Sequence, residues 1–104
     1  MLNQILKEVT DKSLKAAAYN ALGVTLYDAG QPKEARWDFL WVDVEYNQDK
    51  AEHAKALYYL AKIFEDLGES ERAQECRQTL LNSRDFMGLE FQRLAQRLGA
   101  GKSQ

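Results

Sequence analysis

Two segments of this chain share one pattern: LYDAGQPKEARWDFL at Leu26–Leu40 and FEDLGESERAQECRQTL at Phe64–Leu80. Each runs from apolar and acidic residues to a glycine, a short polar gap, and then Glu-Ala or Glu-Arg-Ala. Gly30 and Gly68 lie 38 residues apart. The same offset pairs Leu22 with Leu60, Ala16 with Ala54, Ala35 with Ala73 and Val42 with Leu80. A period of about 20–50 residues built from helix pairs marks a solenoid, in which each hairpin buries its apolar face by stacking on the next.

Between the glycines the apolar spacing is helical, not alternating. It predicts an all-α antiparallel helix-hairpin solenoid of five to six helices. A first helix over about Leu2–Val9 sets Leu2, Ile5, Leu6 and Val9 on one face. An Ala-rich second helix spans about Ser13–Ala29 and stops at Gly30, which can take the left-handed conformation just past a helix end. Pro32 opens the third helix, where its missing N–H costs nothing, and that helix runs to about Asn47. Asp49 and Glu52 have capping-box spacing before a fourth helix, about Lys50–Leu67, which stops at Gly68. Ser70 is placed to cap a fifth stretch ending near Asn82. Asp85 opens a last helix, closed by Gly99. Its apolar face is Met87, Phe91, Leu94, Ala95 and Leu98, with Gln92, Arg93, Gln96 and Arg97 turned away, as in a solubilising cap.

The sequence is long enough for one domain with a small core: 104 residues, 45% hydrophobic and 29% charged. Its net charge is −2, from 14 basic and 16 acidic side chains with no long run of one sign. A nucleic-acid backbone calls for a basic stripe, and Arg93 with Arg97 is too little. One cysteine excludes an intramolecular disulfide. It is compatible with the cytosol and does not exclude an oxidising compartment. No apolar run reaches the roughly 18–20 residues of a membrane span. The opening MLNQILKEVT lacks a signal peptide's charged head and apolar stretch. Cytoplasm is the default address, and a cell-envelope address requires a signal removed beforehand.

Nothing in the sequence builds an active site, so the expectation is a non-enzyme without cofactor or metal. The tail LGAGKSQ lacks the first glycine of a phosphate loop, because Gln96 stands there, and it has no helix to follow. His53 is the only histidine and has no second ligand of its kind. Cys76, one turn before Leu80, reads as a small packed hydrophobe.

AYNALGVTLYDAGQPKEARWDFLWV and ALYYLAKIFEDLGESERAQECRQTLL resemble tetratricopeptide repeats (TPRs). Tyr19, Leu22, Gly23, Leu26, Ala35, Phe39 and Val42 match in the first copy. Leu57, Leu60, Ala61, Phe64, Ala73 and Leu80 match in the second. The period departs from the family's usual one of about 34 residues. Neither copy ends in the expected Pro, and Arg77 replaces the second copy's aromatic residue. The longer spacing is similar to repeats in bacterial cell-envelope assembly proteins. The resemblance implies a right-handed superhelix and divides the chain. Residues 1–12 form a partial repeat or N-terminal helix, 13–48 and 50–83 the two repeats, 85–99 a capping helix and 100–104 a flexible tail. A chain entering mid-repeat is expected to be a piece of a longer protein, or to borrow its missing helix by swapping.

The resemblance also implies a concave groove for a peptide, lined by exposed residues of the first helix of each hairpin. These positions are Asn20, Val24, Tyr27 and Asp28, then Lys55, Tyr58, Tyr59, Lys62 and Glu65, then Arg93 and Arg97. The family's clamp for C-terminal carboxylates is incomplete here, since Val24 and Tyr59 stand where asparagines should be. Tyr58 and Tyr59 have an equal alternative as packing between layers.

The third helix carries a second apolar stripe. Wound at about 100° per residue, Ala35, Phe39, Val42 and Tyr46 share one side while Trp37, Leu40, Trp41 and Val44 share the other. Their equivalents 38 residues on are Glu75, Gln78, Thr79 and Asn82, all polar. The fold therefore does not require an apolar stripe there. Two Trp side chains bury roughly 300–500 Å², so the stripe needs a cover. The candidates are the Leu2–Val9 helix or a neighbouring repeat, a second copy in a homodimer, or a partner protein. Two functions follow: a scaffold that binds a protein or peptide through its groove, or a self-assembling module built on the Trp37/Trp41 face.

Overall fold

The computed structural model describes the backbone of residues 11–102 and the side chains of residues 11–98. The described residues form five α-helices and one 3-10 turn, with no strand. These are α1 (Lys12–Asp28), α2 (Pro32–Val44), α3 (Lys50–Asp66), α4 (Ser70–Asn82), the turn Arg84–Phe86 and α5 (Glu90–Lys102). The expected Leu2–Val9 helix lies outside the described residues.

Local chemistry sets these boundaries. Asp11 caps α1 by accepting from the Ser13 and Leu14 amides at 2.8 and 3.3 Å. Both expected glycine stops form the same motif. Gly30 and Gly68 have φ of +80° and +78°. The residue after each donates back to a carbonyl five positions earlier, Gln31 to Leu26 at 2.9 Å and Glu69 to Phe64 at 2.7 Å. α2 begins at Pro32 and ends at Val44, short of Asn47, whose side-chain amide donates to the Asp43 carbonyl at 2.9 Å. Asp49 caps α3 through the Glu52 amide at 3.1 Å. Ser70 is not a cap: it is the first residue of α4, and Glu69 holds the cap position without a side-chain bond. The Glu69 carboxylate is occupied by Arg36 and Arg72 at 3.6 and 3.5 Å.

α1 pairs with α2 and α3 pairs with α4, and α2 packs against α3 between the two hairpins. α5 lies across α3 and α4. The core has two clusters. One is centred on Phe39, Leu60, Ile63 and Phe64, and the other gathers Leu57, Leu80, Phe86 and Ala95. Gly23 decides how closely the first hairpin closes. A Cβ there would stand 2.7 Å from Phe39 Cζ, so only glycine lets the ring lie against α1.

The last segment differs from its sequence reading. A single helix from Asp85 to Gly99 is replaced by the 3-10 turn, a break at Gly88 with φ +78°, and a helix that passes Gly99 to reach Lys102. Met87 therefore sits in the break and is 72% exposed. Gln92 turns inward instead of away and is buried. Its amide donates to the Leu80 and Leu81 carbonyls at 3.3 and 3.4 Å and accepts from Gly88 N–H at 3.2 Å. It thereby satisfies carbonyls that α4 leaves without an intrahelical donor.

Gly23→Ala tests this packing. Helix propensity alone would stabilise by about 1 kcal/mol, and overpacking costs about 1–3 kcal/mol. The net expectation is a loss in urea melts, with Phe39→Leu added to the Gly23→Ala variant recovering part of it.

Candidate protein-interaction surface

Several residues expected to line a groove are engaged with other side chains of the protein. Asn20, expected at an exposed groove position, is fully buried. Its amide donates to the Glu52 carbonyl at 2.9 Å and to Glu52 Oε1 at 2.8 Å. Glu52 thus turns to α1 rather than completing a capping box with Asp49. Ser13 Oγ donates to Asp49 Oδ2 at 2.9 Å, so both residues at the head of α3 tie the hairpins together. The Glu52 amide and then the Ser13 hydroxyl hold the Asp49 carboxyl below the usual carboxylate range. Val24 packs part-buried against the first core cluster.

The tyrosines form a cluster around a lysine. Tyr59 lies flat on Phe39, with ring centres 5.1 Å apart and planes 3° from parallel. Tyr58 meets Tyr59 edge-on at 5.4 Å and also touches Phe91. The Lys62 ammonium sits 5.2, 5.3 and 5.4 Å from the centres of Tyr27, Tyr58 and Tyr59. The Tyr27 hydroxyl donates to Asp66 at 2.9 Å. Burial and then that bond push the Tyr27 phenol up to about 12, so it stays a donor. The expected anchors are therefore engaged with each other, and Lys62 already supplies the cation that the rings attract.

The remaining groove residues are dispersed. Lys55 borders a separate depression with Glu52, Glu90 and Phe91. Arg93 donates to the Gly88 carbonyl at 2.6 Å, and Arg97 is exposed. A pocket of about 190 Å³ remains beside the cluster, over Ala61, between Asp66, Arg77 and Leu98.

Chemistry elsewhere is limited by environment. His53 Nε2 lies 2.6 Å from Asp43 Oδ1, a tie between α3 and α2. Burial, then the nearby Asp43 carboxylate, pushes the Cys76 thiol up to about 12, which suppresses the thiolate needed for nucleophilic work. Among the described residues no group of three His, Cys, Asp or Glu could hold a metal ion. No described helix is long and apolar enough to cross a membrane.

The outer surface of α2 is different. Trp37, Trp41 and Val44 are 58%, 51% and 70% exposed. Leu40 is half-buried against the core. The four line a shallow depression of about 320 Å³. The repeat-related Glu75, Gln78, Thr79 and Asn82 stand on the matching face of α4, where the side chains are polar. Trp41 stacks on Tyr19 at 6.3 Å, and Tyr19 stacks on Tyr46 at 5.5 Å. The Arg36 guanidinium lies 4.8 Å from the Trp37 ring centre.

The borders of this patch are charged. On one side Arg36 reaches Glu69 and Asp43 reaches His53, both toward the second hairpin. Glu34, Asp38 and Glu45 lie on the other side by helical position. Burial pushes the Asp38 carboxyl up to about 6. The three acids follow an i, i+4, i+11 spacing. No protein-family model, curated protein or solved structure matches the chain.

Two outcomes test these assignments. Asn20→Ala should cost about 1–3 kcal/mol by removing the donor to the part-buried Glu52 carboxylate, measured by denaturant unfolding. Asp38 binds its proton more tightly folded than unfolded, so its contribution falls as pH rises from about 4 through about 6. Asp38→Asn should therefore stabilise at pH ~8 by roughly 1 kcal/mol, discounted for solvent around a part-exposed group. The difference should vanish below about pH 4.

Proposed function

We propose that this chain is a non-catalytic protein-interaction module of TPR-like design, and that it docks its partner on the Trp37/Leu40/Trp41/Val44 face of α2. The supporting observation is the contrast between two related helices. α2 exposes two tryptophans and a valine where α4 carries only polar side chains. An exposed apolar cluster costs solubility, and clusters of this kind mark binding sites. Tryptophan is also among the residues most enriched at interface hot spots. The paired hairpins, the shared Gly30 and Gly68 motifs and the 38-residue period support the TPR-like reading.

The Tyr/Lys groove is the weaker docking candidate, because Tyr27, Tyr58 and Tyr59 already surround Lys62. The two surfaces separate by mutation. Wild type, Trp37→Glu and Tyr58→Ala, each with wild-type helical circular dichroism, serve as immobilised baits. Partners held by wild type and Tyr58→Ala but lost by Trp37→Glu support the outer face, and the reverse pattern overturns it. For an isolated partner, Trp37→Ala should weaken binding about thirtyfold, the effect of a ~2 kcal/mol hot spot. Sedimentation equilibrium of the wild type should give a monomer. A dimer dispersed by Trp37→Glu would transfer the face to self-assembly.

A further inference from the structure

Resting on the reading of α2 as the docking face, we infer that its occupant is an amphipathic helix with Lys or Arg along one edge of its apolar stripe. The two borders of the Trp stripe are unequal. Along one border the charges are already engaged inside the molecule: Arg36 with Glu69 at 3.6 Å and Asp43 with His53 at 2.6 Å. Along the other stand Glu34, Asp38 and Glu45, which make no ion pair among the described residues. Glu34 and Glu45 are exposed, and Asp38 is part-buried beside Tyr19. A carboxylate that loses solvent without a cation is costly, and a partner's ammonium or guanidinium would relieve that cost. The stripe itself offers apolar contact at Trp37, Leu40, Trp41 and Val44, the i, i+3, i+4, i+7 spacing that one helix presents to another.

The same border disfavours a second copy. In an antiparallel, two-fold pair of α2 helices each edge meets its own counterpart. Glu34, Asp38 and Glu45 would then face three more carboxylates. A parallel pair would bring up Lys33, since Arg36 is held by Glu69. One lysine against three acids leaves the edge unneutralised.

The test is a display library of 18-residue helices with a fixed Leu stripe and flanking positions randomised among Lys, Gln and Glu. It is selected on the full chain at low salt. The expected pool favours Lys over Glu along one flank by about tenfold, and raising the salt reduces that preference. Selection on exposed Glu34→Lys/Glu45→Lys, or on Asp38→Asn, should weaken or reverse it. A pool that depends on Trp37 and Trp41 but shows no Lys preference overturns the basic partner and leaves the docking face standing. A pool that fails to enrich, or that survives Trp37→Glu/Trp41→Glu, overturns the docking face itself. Enrichment only on Leu2→Glu/Leu6→Glu would make this chain's own N-terminal segment the occupant. A wild-type dimer sensitive to Trp37→Glu would make it a second copy. Either result overturns the proposal.

Discussion

The ring of Phe39 is the contact on which the arrangement of the hairpins depends. It lies against Gly23 of α1 on one side and Tyr59 of α3 on the other. The first contact closes a hairpin, and the second joins that hairpin to its neighbour. Tyr59 is thereby fixed, and it orients Tyr58, Tyr27 and the Lys62 ammonium between them. The tyrosine–lysine cluster is thus built on one aromatic residue of the first hairpin. The second hairpin has Ala61 and Arg77 at the related positions, with Arg77 paired to Glu65 at 3.9 Å. A flexible, charged side chain does not demand the space of a ring, so an alanine is tolerated where the first copy needs glycine.

α2 is apolar on two sides for two different reasons. Ala35, Phe39 and Val42 are fully buried and belong to the core. Trp37, Trp41 and Val44 lie outside it, and solvent contact withholds much of the roughly 1.5–3 kcal/mol that burying a large apolar side chain provides. Stability therefore accounts for them only in part. The outer face of α4 shows what the same position holds when only solubility is required.

Much of this architecture was legible in the sequence because its causes are local or repeated. Gly30 and Gly68 announce their turns through a conformation few other residues adopt. The Trp stripe was visible because the chain carries its own comparison 38 residues away. What was missed depends on partners distant along the chain. Asn20 reads as a surface residue until Glu52, 32 positions on, is brought beside it. Gln92 reads as polar and outward until the end of α4 presents its carbonyls. The start of α5 was misplaced because Asp85 has the chemistry of a cap. The Ser83 hydroxyl instead accepts from the Asp85 amide at 3.2 Å, starting a 3-10 turn that Gly88 then interrupts.

Arg36 has a further consequence for recognition. Its guanidinium rests over Trp37 while Glu69, from beyond the next turn, holds it in place. Trp41 is similarly held by Tyr19, itself backed by Tyr46. Both indoles are therefore restrained before any partner arrives. Ordering a free side chain on association costs about 0.5–1.5 kcal/mol, and here part of that ordering is done during folding. A partner docking on this face, as proposed, would meet side chains already ordered, which favours discrimination among shapes over moulding around many.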